Sequence, residues 1–153
     1  MEWSATQYLK FEDERSRPAR DLINALPDIA PRTVIDLGCG PGNSTALLAA
    51  RFPDARICGN DLDDDMLYEA RKRMPDICFE KADLSRWLPR TPPDLLFSNA
   101  VFQWVPDHLT ILPKLTESLA GGGVLARGGL DLGARDLAIA VRIQFREPIG
   151  LAR

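Results

Sequence analysis

This chain of 153 residues has little of several features that whole classes of protein require. No run of apolar residues approaches the ~20 needed to span a bilayer, so we expect no membrane association. Lys and Arg number 19 against 22 acidic residues, and the net charge of -3 disfavours a nucleic-acid binder that works by bulk charge. Three cysteines and one histidine form neither an even disulfide set nor a metal-like cluster, so we expect no metal site.

The N-terminus also lacks the apolar stretch of a signal peptide. Three acids, Glu12, Asp13 and Glu14, stand there instead, and we therefore predict a cytoplasmic protein. The composition is that of a soluble domain, 45% hydrophobic and 27% charged. The length suffices for one domain with a hydrophobic core and leaves little room for two.

Strand-type runs alternate with amphipathic helical stretches along most of the chain. Twelve prolines and eleven glycines fall mostly between them. Such alternation across short connections predicts right-handed crossovers and a parallel sheet with helices on both faces. The predicted fold class is α/β and Rossmann-like. The predicted strands are Thr33 to Leu37, Arg56 to Asn60, Ile77 to Lys81, Asp94 to Ser98, and a fifth that begins at Val124.

Capping residues and prolines predict where two of the helices begin. Ser16 is expected to cap the first helix, with Pro18 in its first turn. Asn43 or Ser44 is expected to cap the helix that follows the first strand.

The sharpest signal is the glycine-rich turn after the first predicted strand, Gly38-Cys39-Gly40-Pro41-Gly42. Glycines here let the backbone turn tightly and approach a bound ligand. A dinucleotide site requires Gly-x-Gly-x-x-Gly, and Asn43 occupies the place of its last glycine, which argues against a pyrophosphate site. The competing interpretation is a turn that only joins strand to helix.

An acid, Asp61, follows the second predicted strand directly. A carboxylate at that point can accept hydrogen bonds from both ribose hydroxyls of an adenosyl group. The alternative is a helix cap, for which Asp63 to Asp65 compete. We favour Asp61 for the ribose and Asp63 for the cap.

A weaker marker, Asp83, follows the third predicted strand, where it can accept a hydrogen bond from an adenine amino group while Leu84 packs on the ring. Together these pieces resemble a class I S-adenosylmethionine-dependent methyltransferase over roughly residues 34–126. The resemblance implies that Gly38 and Gly40 lie against the methionine part of S-adenosylmethionine. It further implies that Asp36 orients the glycine turn and reaches the cofactor's amino group through a water. The other cofactor contacts that it implies are Asp61, Leu62, Asp83, Leu84 and Asn99.

Two stretches, Tyr8 to Leu22 and Ser98 to His108, are more distinctive and resemble the trans-aconitate 2-methyltransferase family. That family methylates one carboxylate of trans-aconitate and releases the monomethyl ester and S-adenosylhomocysteine. The resemblance implies a small-molecule carboxylate as the partner and no nucleic acid.

Such a reaction needs few catalytic side chains. A carboxylate with a pKa of about 4 is ionised at neutral pH, so no general base is required and no catalytic residue is predicted. We expect the protein to align the reactants and to exclude water. Several carboxylates call for cations, and Arg17 is the first choice, ahead of Arg15 and Arg20. These arginines fit a solvated helix face equally well.

The remaining substrate-side candidates are aromatic or amide side chains. Tyr8 and Phe11 either cover the cofactor as a lid or anchor the first helix. Phe102, Gln103 and Trp104 line the acceptor pocket, unless Phe102 and Trp104 belong to the core. The segment after the fourth strand begins Asn99-Ala100-Val101-Phe102 and lacks the Pro-Pro of nucleic-acid amino-methyltransferases, which favours a small acceptor.

From Arg127 onward the chain departs from the family, with five arginines, three acids and no lysine. We predict a cofactor-binding core with an N-terminal lid helix at 1–126 and an atypical tail at 127–153. The C-terminal strands are expected to be incomplete or replaced, as in a truncated chain. Alternating apolar residues from Ile139 to Phe145 predict a half-buried strand that pairs at the sheet edge. The alternative functions are an inactive cofactor-binding remnant and a methyltransferase for another small carboxylate.

Overall fold

The computed structural model describes residues 12–128 and 139–142, with side chains described for 16–128. Six strands form one sheet in the order β3-β2-β1-β4-β5-β6. The strands are β1 (Thr33–Leu37), β2 (Arg56–Asp61), β3 (Cys78–Lys81), β4 (Leu95–Asn99), β5 (Val124–Gly128) and β6 (Ile139–Arg142). The helices are α1 (Glu12–Asn24), α2 (Asn43–Arg51), α3 (Asp64–Arg73) and α4 (His108–Glu117), with a 3₁₀ turn at Phe102–Trp104.

The first five strands run parallel, as the alternation of elements predicted. The direction in which strands are added to the sheet reverses at β1: β2 and β3 lie on one side of it, and β4 and β5 lie on the other. In open α/β sheets, ligands bind outside the carboxyl ends of the strands at this switch point. The predicted α/β, Rossmann-like fold is confirmed.

The predicted edge strand is confirmed as well. β6 pairs antiparallel with β5, with Val141 opposite Leu125. It covers the backbone of β5, which otherwise presents unpaired donors and acceptors at the edge of the sheet. Residues 143–153 lie outside the described residues, and the proposed division at residue 126 stays a prediction.

The core has two layers, one on each face of the sheet. On one face, Leu22 of α1 and Leu48 of α2 pack in a cluster with Val34 and Phe97 of the strands. On the other face, Leu115 of α4 packs in a cluster with strand residues. Complete burial of one such side chain contributes about 1.5–3 kcal/mol, so these layers fix the helices against the sheet.

The predicted starts of the first two helices are wrong. α1 begins at Glu12, so Ser16 lies buried inside it and Pro18 is not in the first turn. α2 follows Gly42, which has a φ of 93° and no side-chain cap, so neither Asn43 nor Ser44 caps it. A proline inside a helix removes one backbone hydrogen bond, and the burial of apolar residues along α1 against the sheet offsets that loss.

The predicted cap of α3 is confirmed. The Asp63 carboxylate accepts hydrogen bonds from the backbone N–H groups of Asp65 and Met66. Across residues 12–128 and 139–142, no helix has the length and apolar character needed to cross a membrane.

Candidate functional site at the carboxyl ends of β1, β2 and β4

The glycine-rich turn between β1 and α2 has a backbone that only glycine adopts easily. Gly38 has a φ of 63° and Gly40 a φ of 55°, both in the left-handed region. A Cβ at Gly38 would also lie 2.5 Å from a methyl carbon of Val101, which belongs to the segment after β4. Conformation and close packing therefore both require glycine at this position.

The turn is anchored by the end of β2. The Gly38 N–H donates to the side-chain oxygen of Asn60 at 3.3 Å, and the Cys39 N–H donates to the Asn60 carbonyl at 2.8 Å. The Gly40 N–H donates to Asp61 Oδ2 at 2.8 Å. Three consecutive backbone donors are thus fixed before any ligand binds. Sequence reasoning missed Asn60, whose only signal is a polar residue beside Asp61 at the end of a buried strand.

Asp61 retains hydrogen-bonding capacity although both of its oxygens have partners. Oδ2 accepts from Gly40, and Oδ1 accepts from the Asp63 N–H at 3.0 Å. An ionised carboxylate offers about four acceptor positions, so about two remain. The side chain is half-buried at the edge of the sheet, where a ribose diol would supply two donors.

Asp36 is buried, and only one of its oxygens has a partner. Oδ2 accepts hydrogen bonds from the hydroxyls of Ser44 and Thr45, each at 2.7 Å. Oδ1 has no hydrogen-bond partner among the described residues. Burial raises the pKa of Asp36 to about 6, assisted by the charge of Asp61 and opposed by the two hydroxyl donors.

This arrangement refines the role predicted for Asp36. Its carboxylate ties β1 to the first turn of α2, which holds the far end of the glycine-rich turn. Sequence reasoning missed Ser44 and Thr45 in this role, because Ser44 was considered only as a helix cap and Thr45 was not considered. A buried acceptor without a partner costs about 1–3 kcal/mol, so a ligand that brings a donor to Oδ1 recovers that energy. The acceptor positions that remain on Asp61 fit the hydroxyl donors of a diol.

Three side chains, one acidic and two apolar, follow the ends of β2 and β3. Leu62 follows Asp61 and is 59% exposed, so it offers an apolar surface to a ligand. Asp83 Oδ1 accepts from the backbone N–H and hydroxyl of Ser85, and these hydrogen bonds lower the pKa of Asp83. Leu84 is only 7% exposed and packs in the core with Phe102, which leaves it little surface for a ring.

The segment after β4 forms the other wall of the site. Asn99 ends β4, and Ala100 takes a φ of 56°, which is uncommon for a residue other than glycine. The Ala100 N–H donates to the Gly128 carbonyl at 2.9 Å, so the strained residue is held by β5. Strained backbone of this kind clusters at functional sites.

The aromatic candidates of this wall divide between core and surface. Phe102 is buried and belongs to the core, whereas Trp104 is 74% exposed. Gln103 is exposed beside it. The guanidinium of Arg127, near the carboxyl end of β5, lies 5.7 Å from the centre of the Phe102 ring. Sequence reasoning did not consider this arginine, which had been assigned to the atypical tail.

Arg17 is exposed on α1, as is Arg20. A Cβ at Gly128 would lie 3.3 Å from Leu22, so α1 passes close to the carboxyl end of β5. The predicted Tyr8 and Phe11 lie outside the described residues, and the side chain of Arg15 is also not described.

A family model described as a methyltransferase domain matches residues 34–123, which include the glycine-rich turn, Asp36 and Asp61. This chain belongs to that methyltransferase family. The matched range runs from β1 to the start of β5, so it holds both walls of the site. Among residues 12–128 and 139–142, no group of three or more His, Cys, Asp or Glu side chains is placed to hold a metal ion.

Curated relatives carry a more specific name. The chain is 58% identical over 125 residues to trans-aconitate 2-methyltransferase of Afipia carboxidovorans, a match that covers 82% of this chain and 49% of the relative. It is 56% identical over 126 residues to the protein of the same name from Rhizobium meliloti, with the same coverage. The chain thus spans about half the length of the curated relatives it matches.

Solved structures support the fold. An S-adenosylmethionine-dependent methyltransferase from Mesorhizobium loti superposes with a TM-score of 0.64 at 30% identity, covering 72% of this chain and 52% of that one. A putative methyltransferase in complex with the Haloferax volcanii activator Trm112 superposes with a TM-score of 0.72, at 23% identity. It covers 81% of this chain and 56% of the other, and it bears on the fold alone.

Proposed function

We propose that this chain binds S-adenosylmethionine and transfers its methyl group to one carboxylate of trans-aconitate. The observation that carries the proposal is that two carboxylates with unused acceptor positions, Asp36 and Asp61, flank the glycine-rich turn. One carboxylate has a buried oxygen without a partner, and the other has acceptor capacity left at the end of β2. The proposed methyl acceptor, trans-aconitate, is taken from the names of the curated relatives.

We call the residues at the ends of β1, β2 and β3 the cofactor wall, and the segment after β4, with Arg17 and Arg127, the acceptor wall. In this proposal the side chains of the cofactor wall have the following binding roles. Asp36 Oδ1 accepts from the amino group of the methionine part through a water. Asp61 accepts from the ribose hydroxyls, and Leu62 packs on the adenine. Asp83 contacts the adenine amino group through Oδ2, which forms only a 3.4 Å ion pair with Arg86. When bound, S-adenosylmethionine supplies a methyl group made electrophilic by the sulfonium.

The acceptor wall binds and orients the carboxylate. Arg17 and Arg127 are the candidate cations, since an arginine fork matches a carboxylate geometrically. Asn99 lies near the transferred methyl group, and the exposed Gln103 and Trp104 line the acceptor side. The acceptor is already ionised, so alignment and exclusion of water are the contributions we assign to the protein.

The test is a methyl-transfer assay with isotopically labelled S-adenosylmethionine, read by mass spectrometry of the organic acids. Trans-aconitate is compared with cis-aconitate and citrate, which carry the same three carboxylates in other shapes. The proposal expects labelled monomethyl ester from trans-aconitate and much less from the other two. Label in another acid would reassign the acceptor.

A second candidate function is cofactor binding without turnover. Its cofactor contacts are the same acceptor positions of Asp36 and Asp61, and it assigns no acceptor. This candidate expects S-adenosylhomocysteine to bind while none of the three acids becomes labelled. The two functions therefore share the cofactor wall and differ only in the acceptor wall.

A further inference from the structure

Two cysteines face each other across neighbouring strands at the edge of the parallel sheet. Cys58 of β2 and Cys78 of β3 are direct register partners. Both are free thiols, Cys58 half-buried and Cys78 exposed. Neighbouring strands lie about 4.8 Å apart, and disulfides join Cα atoms roughly 4.4–6.8 Å apart. The backbone thus places the pair within bonding range.

The two side chains also share a face of the sheet. A Cβ at Gly59 would meet Phe79 and Cys39, so those residues lie on the face opposite to Cys58. The register puts Cys78 on the same face as Cys58. Contact with the Cys78 thiol, second to burial, raises the pKa of Cys58, which places the two sulfurs near each other.

The surroundings leave this pair open to small oxidants. β3 is the last strand on its side of the sheet, and no helix occurs between β3 and β4. The third cysteine, Cys39, is 4% exposed on the other face. Its burial on that face keeps it away from oxidants and from the Cys78 thiol, so it does not compete for the same reaction.

We propose that Cys58 and Cys78 form a reversible disulfide when the chain meets a hydroperoxide. Hydrogen peroxide oxidises the exposed Cys78 thiol to a sulfenic acid and releases one water. The Cys58 sulfur then attacks that sulfur, the S–S bond forms, and the hydroxyl leaves as a second water. Two thiols are oxidised and one peroxide is reduced to two waters.

The geometry also accounts for reversibility. In a disulfide the Cβ atoms are about 3.8 Å apart, which is closer than the strand spacing, so β3 must move towards β2. A bond that holds such strain is more easily reduced, and it lies at the surface where a small thiol has access. The bond ties β2 to β3 three residues before Asp61.

The experiment oxidises the intact folded chain with hydrogen peroxide and then alkylates it under denaturing conditions. Before alkylation, the intact mass of the oxidised chain should be lower than that of the reduced chain by two hydrogens. After alkylation, we expect one alkylated cysteine instead of three and a peptide that joins Cys58 to Cys78. Glutathione is expected to restore three thiols. The Cys78→Ser variant, altered at an exposed position, is expected to keep two alkylatable thiols under the same treatment.

Three results would overturn the proposal. One is a chain that keeps two alkylatable thiols, Cys39 and Cys58, and forms no linked peptide after a peroxide dose at which dimedone labels Cys78. Another is a linked peptide that contains Cys39, or disulfide-linked dimers in place of the internal bond. The last is a bond that excess glutathione does not reduce, which would remove the reversible character.

Discussion

The two walls of the candidate site are built in different ways. The wall formed by β1 and β2 is a polar network: three consecutive backbone N–H groups of the glycine-rich turn donate to Asn60 and Asp61, and two hydroxyls donate to Asp36. The wall after β4 rests on a strained Ala100 and exposes Trp104. Within the described residues, the side-chain hydrogen bonds of the site are concentrated in the first wall.

This difference predicts which substitutions affect cofactor affinity and which do not. The first wall presents acceptor oxygens that the protein itself holds in place, whereas the second presents exposed side chains. Substitutions in the first wall should therefore lower both stability and cofactor affinity. Substitutions in the second should leave cofactor affinity unchanged.

The largest effect is expected for Gly38→Ala. The left-handed φ costs about 1–2 kcal/mol for a residue with a Cβ, and the clash with Val101 adds about 1–3 kcal/mol. The matched control is Gly122→Ala, which has a similar φ of 74° but nothing within 4 Å of the new Cβ. Urea unfolding should show the larger loss at Gly38. Equal losses would contradict the close packing of the two walls.

The next effect is a pH dependence that Asp36 imposes on stability. Because its pKa rises from 3.8 to about 6 on folding, the native state binds the proton more tightly. The free energy of unfolding should therefore gain ~3 kcal/mol from this group as pH falls from well above 6 to below 3.8. Asp36→Asn should remove that gain, measured as the difference between the two pH profiles.

The control for Asp36 is Asp83→Asn. Hydrogen bonds from Ser85 lower the pKa of Asp83, so this carboxylate favours the native state above its unfolded pKa and loses that contribution as pH falls. Its variant should alter the profile in the opposite sense. If Asp36→Asn leaves the profile unchanged, the buried, partly unpaired carboxylate is not ionised as described.

A smaller effect separates ligand binding from helix capping. Asp61→Ala should weaken S-adenosylhomocysteine binding by ~1–3 kcal/mol, the range for a charged hydrogen-bond partner. Asp63→Ala removes the cap of α3, which should cost about 0.5–2 kcal/mol of stability and leave affinity intact. Calorimetric titration of both variants makes the distinction. Unchanged affinity in Asp61→Ala would exclude that residue from the site.

The smallest effect is expected in the second wall. Ala100→Gly relieves a φ of 56° and should stabilise the chain by up to about 1 kcal/mol, less the entropy that glycine gains on unfolding. Thermal unfolding measures the change, and S-adenosylhomocysteine affinity should stay the same. A marked change in affinity would show that the two walls are coupled.

Much of the fold was predictable because its signals are local. Strand and helix periodicity gave the parallel sheet, and the cap at Asp63 followed from an acid before an amphipathic stretch. Capping preference alone misplaced the starts of the first two helices. Packing against the sheet outweighs it at Ser16, and the hydroxyl contacts with Asp36 outweigh it at Asn43 and Ser44.

The site was only partly predictable because its contacts join distant segments. The placement of Asp36, Gly38 and Asp61 followed from strand ends that meet at one edge of the sheet. The role of Asn60 and the pairing of Cys58 with Cys78 depend on strand register, which sequence specifies only through the side chains it buries.

The central claim is that the wall formed by β1 and β2 binds the adenosyl and methionine parts of the cofactor. The most direct measurement is a calorimetric titration of the purified chain with S-adenosylhomocysteine, repeated in the presence of trans-aconitate. The account predicts saturable binding of one ligand per chain. A folded, monodisperse chain that gives no binding heat at several temperatures would contradict it.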